Sequence, residues 1–206
     1  HLDMLQRLEL DYNEIGEDGG VSLAEPMKQL TGLVTLSLRK NDLMRRGGSV
    51  VCQAFEKMTN LENLDLASNY IEDQSVHNLS KYLSTLTRLR SLDLGNNKIG
   101  PNAFAALCTC LAPLSRLEAL IVRENSLGPE GAEALAEGIR TLTELKVLDL
   151  GFSRVGRKGG LALAAKTRWM TALQKLKFEG NSMGQDAVSQ IQTTLPDGCQ
   201  LDIEAS

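Results

Sequence analysis

The chain has few of the residues that carry most catalytic and metal chemistry. Among 206 residues there are four phenylalanines, three tyrosines, one tryptophan, two histidines and four cysteines. His1 and His77 cannot supply a plausible Ser-His-Asp triad or metal cluster. The cysteines are too few for a disulfide scaffold in a chain of this length: Cys52, Cys108, Cys110 and Cys199. We therefore expect small buried thiols in a reducing compartment, no metal, no cofactor and no enzymatic activity.

Long apolar runs and a strong charge of one sign are also missing. No stretch approaches the roughly 18 consecutive apolar residues of a membrane-spanning helix, and the first residues do not form a signal peptide. The net charge of −4 argues against general nucleic-acid binding. These absences predict a cytoplasmic protein with neither a nucleic-acid nor a membrane partner.

Leucine is what the chain has in excess, with 36 of the 206 residues. A leucine recurs every 28 residues from Leu5 onward without an insertion, and position 9 is asparagine in every unit except the one that holds Ser153. Such an internal period is typical of a repeat architecture. It predicts one domain over 1–206, made of a terminal half-unit at 199–206 and seven units that start at 5, 33, 61, 89, 117, 145 and 173.

Each unit combines two hydrophobic periods. Positions 4 and 6 alternate with polar residues, as in a short strand, whereas Leu135, Ile139 and Leu142 have helical spacing. A single unit cannot cover its apolar face, so the units should stack into an α/β solenoid with strands inside and helices outside. Small residues at position 15 should let each helix approach the strand, and the position-9 asparagine should bond backbone groups of neighbouring turns. Ser153 should leave a weaker but intact turn.

The pattern resembles that of the leucine-rich repeat family, in its ribonuclease-inhibitor-like branch. Residues 117–139, LEALIVRENSLGPEGAEALAEGI, fit LxxLxLxxNxLGxxGxxxLAxxL nearly residue for residue. The uniform period is similar to that of Ran GTPase-activating protein and of NOD-like receptors. The resemblance implies a short right-handed β-α horseshoe with a parallel concave sheet. A non-catalytic protein-interaction module is the favoured function. The alternatives are a Ran-type GTPase-activating protein and the sensor region of a NOD-like receptor, and tropomodulin-like actin regulators would look similar.

The start of the chain does not coincide with the start of a unit. Leu2 occupies the position that precedes each unit by three residues, as Leu30 and Leu86 do. No polar N-terminal cap or initiator methionine is visible, although solenoids need caps. We expect the chain to be a fragment of a longer protein.

Strand residues that face away from the core should line the concave surface at positions 2, 3, 5, 7 and 8. Position 5 is rich in acids, and adjacent like charges on neighbouring strands are unfavourable unless basic residues are interleaved with them. The row is therefore either an ordinary solvated face or a site for a basic segment of a protein partner. The predicted partner-binding residues are Glu9, Tyr12, Arg39, Asp65, Asp93, Arg123, Asp149, Phe152 and Lys177.

Charge is divided between the two ends of the chain. Residues 1–25 carry seven acids against Arg7, whereas residues 145–178 carry eight bases against Asp149. Such asymmetry can orient a dipolar partner or favour head-to-tail contacts between solenoid ends. We expect a monomer, with end-to-end self-association as the alternative.

Overall fold

The computed structural model describes residues 2–203, which form one sheet backed by one layer of helices. Eight three-residue strands pair in chain order, and every pair is parallel. Leu36 of one strand lies opposite Leu64 of the next, one period away, whereas Leu176 lies opposite Leu201 because the last connection is shorter. The strands are β1 (Arg7–Glu9), β2 (Thr35–Ser37), β3 (Asn63–Asp65), β4 (Ser91–Asp93), β5 (Ala119–Ile121), β6 (Val147–Asp149), β7 (Lys175–Lys177) and β8 (Gln200–Asp202).

A helix follows each of the first seven strands and packs against the helix of the next unit. The helices are α1 (Gly16–Met27), α2 (Met44–Gln53), α3 (Asp73–Leu83), α4 (Pro101–Cys108), α5 (Gly128–Gly138), α6 (Gly156–Thr167) and α7 (Gln185–Thr194), with short 3-10 helices at Leu2–Met4, Ala54–Lys57 and Ile139–Thr141. The predicted α/β solenoid, with a parallel sheet on one side and helices on the other, is confirmed.

The repeated leucines form one continuous core between the sheet and the helices. Leu36, Leu64, Leu92 and Leu120, the central residues of four adjacent strands, are all buried. Each repeats the same contact one period further along, so one side-chain shape fills every layer. This explains why leucine is abundant and aromatic residues are scarce.

Small residues at position 15 pack between neighbouring helices, which corrects the expectation that they lie against the strands. A Cβ added to Gly47 of α2 would lie 2.7 Å from the carbonyl oxygen of Glu17 in α1. A Cβ on Gly159 of α6 would lie 2.7 Å from the Cβ of Ala132 in α5. Close packing of successive helices therefore requires the small side chains at this position.

The position-9 asparagines connect successive turns by hydrogen bonds. The amide nitrogen of Asn69 donates to the carbonyl oxygens of Leu38, Leu66 and Ala67, at 2.7, 3.1 and 3.1 Å. Its amide oxygen accepts the backbone N–H of Asn41 at 3.0 Å. The expected role of this asparagine in joining neighbouring turns is thus confirmed.

Ser153 keeps only part of this arrangement. Its hydroxyl reaches the carbonyl oxygens of Val122 and Gly151, both at 3.2 Å, and its own N–H donates to Asn181. A hydroxyl has one hydrogen to donate, whereas an asparagine amide has two. Within residues 2–203, no hydrogen bond joins the backbone N–H of Asn125 to Ser153, although the equivalent N–H of Asn41 is bonded to Asn69.

Substituting Ser153→Asn is expected to raise the free energy of unfolding by about 1 kcal/mol, because the amide restores the missing acceptor and one further donor. Urea denaturation measures the change. The reverse substitution Asn125→Ser serves as the control and should destabilise the chain. Equal or lower stability of Ser153→Asn would mean that this turn has closed around the smaller side chain.

Candidate functional site on the concave sheet face

Side chains at positions 3, 5 and 7 of each unit share the sheet face that points away from the helices. Successive strand residues alternate between the two faces, and the position-4 leucines between them are buried in the core from Leu36 to Leu176, while Leu8 is partly buried. Because neighbouring strands are in register, equal positions of successive units form rows across this face. The rows place the predicted partner-binding residues relative to one another.

The aspartates of the position-5 row are bound to their own backbone. One carboxylate oxygen of Asp65, Asp93 and Asp149 accepts the N–H of the residue two places later, at 2.8, 2.8 and 3.1 Å. That later residue is small in each case, namely Ala67, Gly95 and Gly151. A Cβ on Gly95 would lie 3.0 Å from the Asp93 carboxylate, so the aspartate and the small residue act as a pair.

Arg39 joins two of these aspartates, Asp65 one unit away and Asp93 two units away. Its Nε lies 3.2 Å from Asp65 and its Nη2 lies 3.0 Å from Asp93. The side chain crosses the row where Ala67 leaves space. Arg39 is also fixed at its backbone, because its N–H donates to the carboxylate of Asp11 at 2.9 Å. Asp11, which the sequence analysis did not select, therefore belongs to the same network.

Lys177 neutralises the third aspartate, with its Nζ 3.3 Å from Asp149. Arg90 and Lys146, which directly precede β4 and β6, both pair with Glu118 and not with the acidic row. Arg39 and Lys177 are therefore the basic residues that offset the negative charges of the acidic row.

Burial still disfavours the charged form of two aspartates. It raises the pKa of Asp65, and together with the charge of Asp65 it raises the pKa of Asp93 to about 6. Asp93 is 7% exposed and Asp149 is 3% exposed. These carboxylates therefore offer little surface to a partner.

The N-terminal members of the predicted set lie apart from this network. Glu9 pairs with Arg7 of the same strand at 2.7 Å, and both side chains are exposed. The Tyr12 ring is exposed, and the Nζ of Lys40 lies 5.2 Å from its centre. The backbone N–H of Tyr12 donates to the carbonyl oxygen of Arg39 at 2.9 Å, but within residues 2–203 neither the Glu9 nor the Tyr12 side chain forms a hydrogen bond with Arg39 or with the three aspartates.

Phe152 and Arg123 lie together at the edge of the face. The Arg123 guanidinium lies 5.9 Å from the centre of the Phe152 ring, and a Cβ on Gly180 would collide with that ring. Phe152 has a left-handed backbone with φ of 54°, which it shares with residues at the same position of other units. The ring is thus held over Gly180, and the side chain remains 47% exposed.

Comparisons with known proteins agree on this architecture. A family model described as Leucine Rich repeat matches residues 1–24, 85–108, 116–136 and 141–164. A search of curated protein sequences finds no match. The fold is that of a leucine-rich-repeat solenoid. The assignment to the ribonuclease-inhibitor-like branch rests on the residue pattern and stays a prediction.

Solved structures with the same fold share little sequence with this solenoid. The tropomodulin C-terminal domain of Caenorhabditis elegans has a TM-score of 0.59 at 14% identity, covering 85% of this chain and 90% of that one. Leiomodin-1 Actin-Binding Site 2 has a TM-score of 0.56 at 15% identity, covering 85% and 94%. The Arabidopsis receptor kinase HAESA, in complex with the peptide hormone IDA and the co-receptor SERK1, has a TM-score of 0.50 at 18% identity, covering 98% of this chain and 38% of that one.

The solenoid also presents an apolar patch that the sequence analysis did not select. Ala119 and Ile121 of β5 and Val147 of β6 face the concave side and are partly exposed. The other strand residues in these rows are polar or charged. The register places Ala119 beside Val147, while Ile121 lies between Asp93 and Asp149. The patch spans two rows, with Ala119 and Val147 at position 3 and Ile121 at position 5, so the position-5 row alone does not reveal it.

Other features of the described chain point to no chemistry. All four cysteines are free, and burial raises the pKa of the Cys52 and Cys108 thiols to about 12, which leaves them unreactive at neutral pH. Between residues 2 and 203, no cluster of His, Cys, Asp and Glu could hold a metal ion. None of the described helices has the length and hydropathy needed to cross a bilayer.

Proposed function

We propose that this solenoid is a non-catalytic protein-interaction module whose concave face binds a protein partner. The observation that carries the proposal is the apolar patch of Ala119, Ile121 and Val147, with the exposed Phe152 ring at its edge. An apolar centre with an aromatic anchor and a polar rim is typical of the energetically important part of an interface.

The rim around the patch supports this proposal. Asp93 and Asp149 flank Ile121, and each is already neutralised within the chain by Arg39 or Lys177. A partner that covers the patch therefore does not have to compensate two isolated buried charges, which would weaken binding. Phe152 is fixed by Gly180 and Arg123, so little side-chain entropy is lost when it is covered.

Photo-crosslinking tests which side of the solenoid is used. Benzoylphenylalanine replaces Ala119 on the concave face or, as the matched control, the exposed Ala112 beside α4 and α5. The probes are an extract of cells that express the protein, purified actin and a panel of small GTPases. We expect adducts from the Ala119 position alone, and fewer of them when Phe152→Ser is added. Adducts from the Ala112 position alone, or from neither, would contradict concave-face binding.

Actin and the GTPases have different roles in this panel. Leiomodin-1 has an actin-binding site by name, and actin is therefore a defined protein of the right class to include. The GTPases test the Ran-type alternative, for which accelerated GTP hydrolysis is the readout. A cytoplasmic location and a monomeric state remain predictions that accompany the proposed function.

A further inference from the structure

Arg123 differs from the other cations of the concave face in how it is paired. Arg39 binds two aspartates, and Lys177 binds Asp149. The carboxylate near Arg123 is that of its neighbour Glu124, 3.2 Å from Nε, and the two do not form a well-aligned hydrogen bond. Nε is buried without a hydrogen-bond partner within residues 2–203, and so is Oε2 of Glu179, which lies beside Gly151 and near the Cβ of Arg123.

A hollow of about 250 Å³ adjoins this guanidinium. It lies between Arg39 and Arg123, because the two units between them carry only Ala67 and Gly95 at position 7. The carboxylate of Asp93 borders the hollow, but both of its oxygens are engaged, by Arg39 and by the N–H of Gly95. Glu124 is exposed, so it can turn toward solvent when another carboxylate approaches Arg123.

Apolar surface begins directly beside Arg123. Ile121 precedes it by two residues and therefore faces the same side of the strand. Val147 lies opposite Ala119 on the next strand, and the Phe152 ring centre lies 5.9 Å from the guanidinium carbon. The Arg123 guanidinium, whose Nε has no hydrogen-bond partner, thus adjoins a surface of aliphatic and aromatic side chains.

We propose that these groups form a subsite for a protein segment that carries a carboxylate next to an aliphatic side chain. In the Arg123 subsite, made of Arg123, Ile121, Val147, Phe152 and the adjoining hollow, the carboxylate pairs with Arg123 in place of Glu124. The aliphatic side chain covers Ile121 and Val147. The inference rests on the proposed function and deepens it, because it assigns a chemistry to the partner. The acidic residues at position 5 alone suggest a basic partner segment, whereas the Arg123 subsite fits an acidic and apolar one.

NMR titration with three matched peptides tests the subsite. Each capped heptapeptide has a leucine on both sides of a central residue, which is glutamate, glutamine or lysine. We expect the glutamate peptide to shift the methyl signals of Ile121 and Val147 and the Nε–H signal of Arg123. We also expect it to bind about tenfold more tightly than the glutamine peptide, as one added charge-assisted hydrogen bond predicts.

Two variants separate charge recognition from apolar contact. Arg123→Gln should abolish the preference for glutamate over glutamine, whereas Ile121→Ser should weaken all three peptides. Arg116→Gln, which removes an exposed arginine from the preceding turn, is the matched control and should change nothing. The proposal is overturned if the lysine peptide binds best, if Arg123→Gln retains the preference, or if no peptide shifts these signals at millimolar concentration.

The two proposals fail in different ways. A partner that cross-links at the Ala119 position and binds Arg123→Gln as tightly as the native chain would overturn the Arg123 subsite and leave concave-face binding intact. A partner that cross-links only at the Ala112 position would overturn concave-face binding itself, whatever the peptides show.

Discussion

Replacing Asn97 by alanine is expected to lower the free energy of unfolding by about 3–5 kcal/mol. The amide oxygen of Asn97 accepts the N–H groups of Asn69 and Ile71 at 3.0 and 3.1 Å. Its amide nitrogen donates to the carbonyl oxygens of Leu66, Leu94 and Gly95 at 3.0 to 3.2 Å. Alanine leaves these groups buried and without this partner, and each unsatisfied N–H alone costs about 1–3 kcal/mol. Urea denaturation followed by circular dichroism measures the loss.

Asn102→Ala is the control for this experiment, because Asn102 is exposed on α4 and should change stability by less than about 0.5 kcal/mol. Asn97 lies in the fourth of seven units, so its loss weakens contacts in both directions along the solenoid. We also expect a broader unfolding transition, since units in such arrays are stabilised by their neighbours. A small loss with an unchanged transition would show that water replaces the amide.

Asn97 also illustrates what a sequence alone predicts in a repeat protein. Its neighbours are set by the fold and recur every 28 residues, so its role can be deduced from the period. The leucine positions, the strands and the exceptional turn at Ser153 follow from the same reasoning. These features depend on backbone geometry that every unit shares.

The candidate site depends instead on residues that differ between units, and it was predicted only in part. Arg39 reaches Asp93 across 54 residues, because Ala67 lies between them in space and leaves room for the side chain. That contact depends on rotamers and on neighbouring side chains, so the repeat pattern places Arg39 near the acids but does not predict which of them it pairs with. Phe152 was selected as an unusual residue, but Gly180, which makes room for its ring, was not.

The acidic row shows how structure changes the interpretation of a charge pattern. Four acids in seven equivalent positions suggest an acidic surface. Three of them, Asp65, Asp93 and Asp149, accept backbone N–H groups and pair with Arg39 or Lys177. These aspartates support the turns at the ends of their own strands. The exposed apolar surface of the position-5 row is at Ile121, where the row of charged residues is interrupted.

Replacing Asp93 by asparagine is expected to stabilise the protein by about 1–2 kcal/mol at pH 7 to 8, although it removes a salt bridge. The pKa of Asp93 is raised from 3.8 to about 6, chiefly by burial and by Asp65, with Asp149 adding to it and Arg39 and the Gly95 N–H opposing it. Between about pH 4 and 6 the folded state therefore holds more protons than the unfolded state, and stability falls as the pH rises. The full difference corresponds to about 3 kcal/mol, in which the contact with Arg39 is already included, and the different hydrogen bonding of an amide removes a part of it.

Because the stability of the native protein falls as the pH rises, the stabilisation by Asp93→Asn should disappear at low pH. Near pH 4 the native Asp93 is already protonated in the folded chain, so the native and Asp93→Asn proteins should have nearly equal stability there. Asp186→Asn is the control of opposite sign, because its hydrogen bond to Arg157 lowers the pKa of Asp186 and the substitution should not stabilise the chain at pH 7. Urea denaturation from pH 4 to 8 measures both variants. A loss of stability for Asp93→Asn at every pH would show that pairing with Arg39 outweighs the desolvation of the carboxylate. A gain confined to neutral pH would identify Asp93 as a buried charge that the concave face retains at the expense of stability.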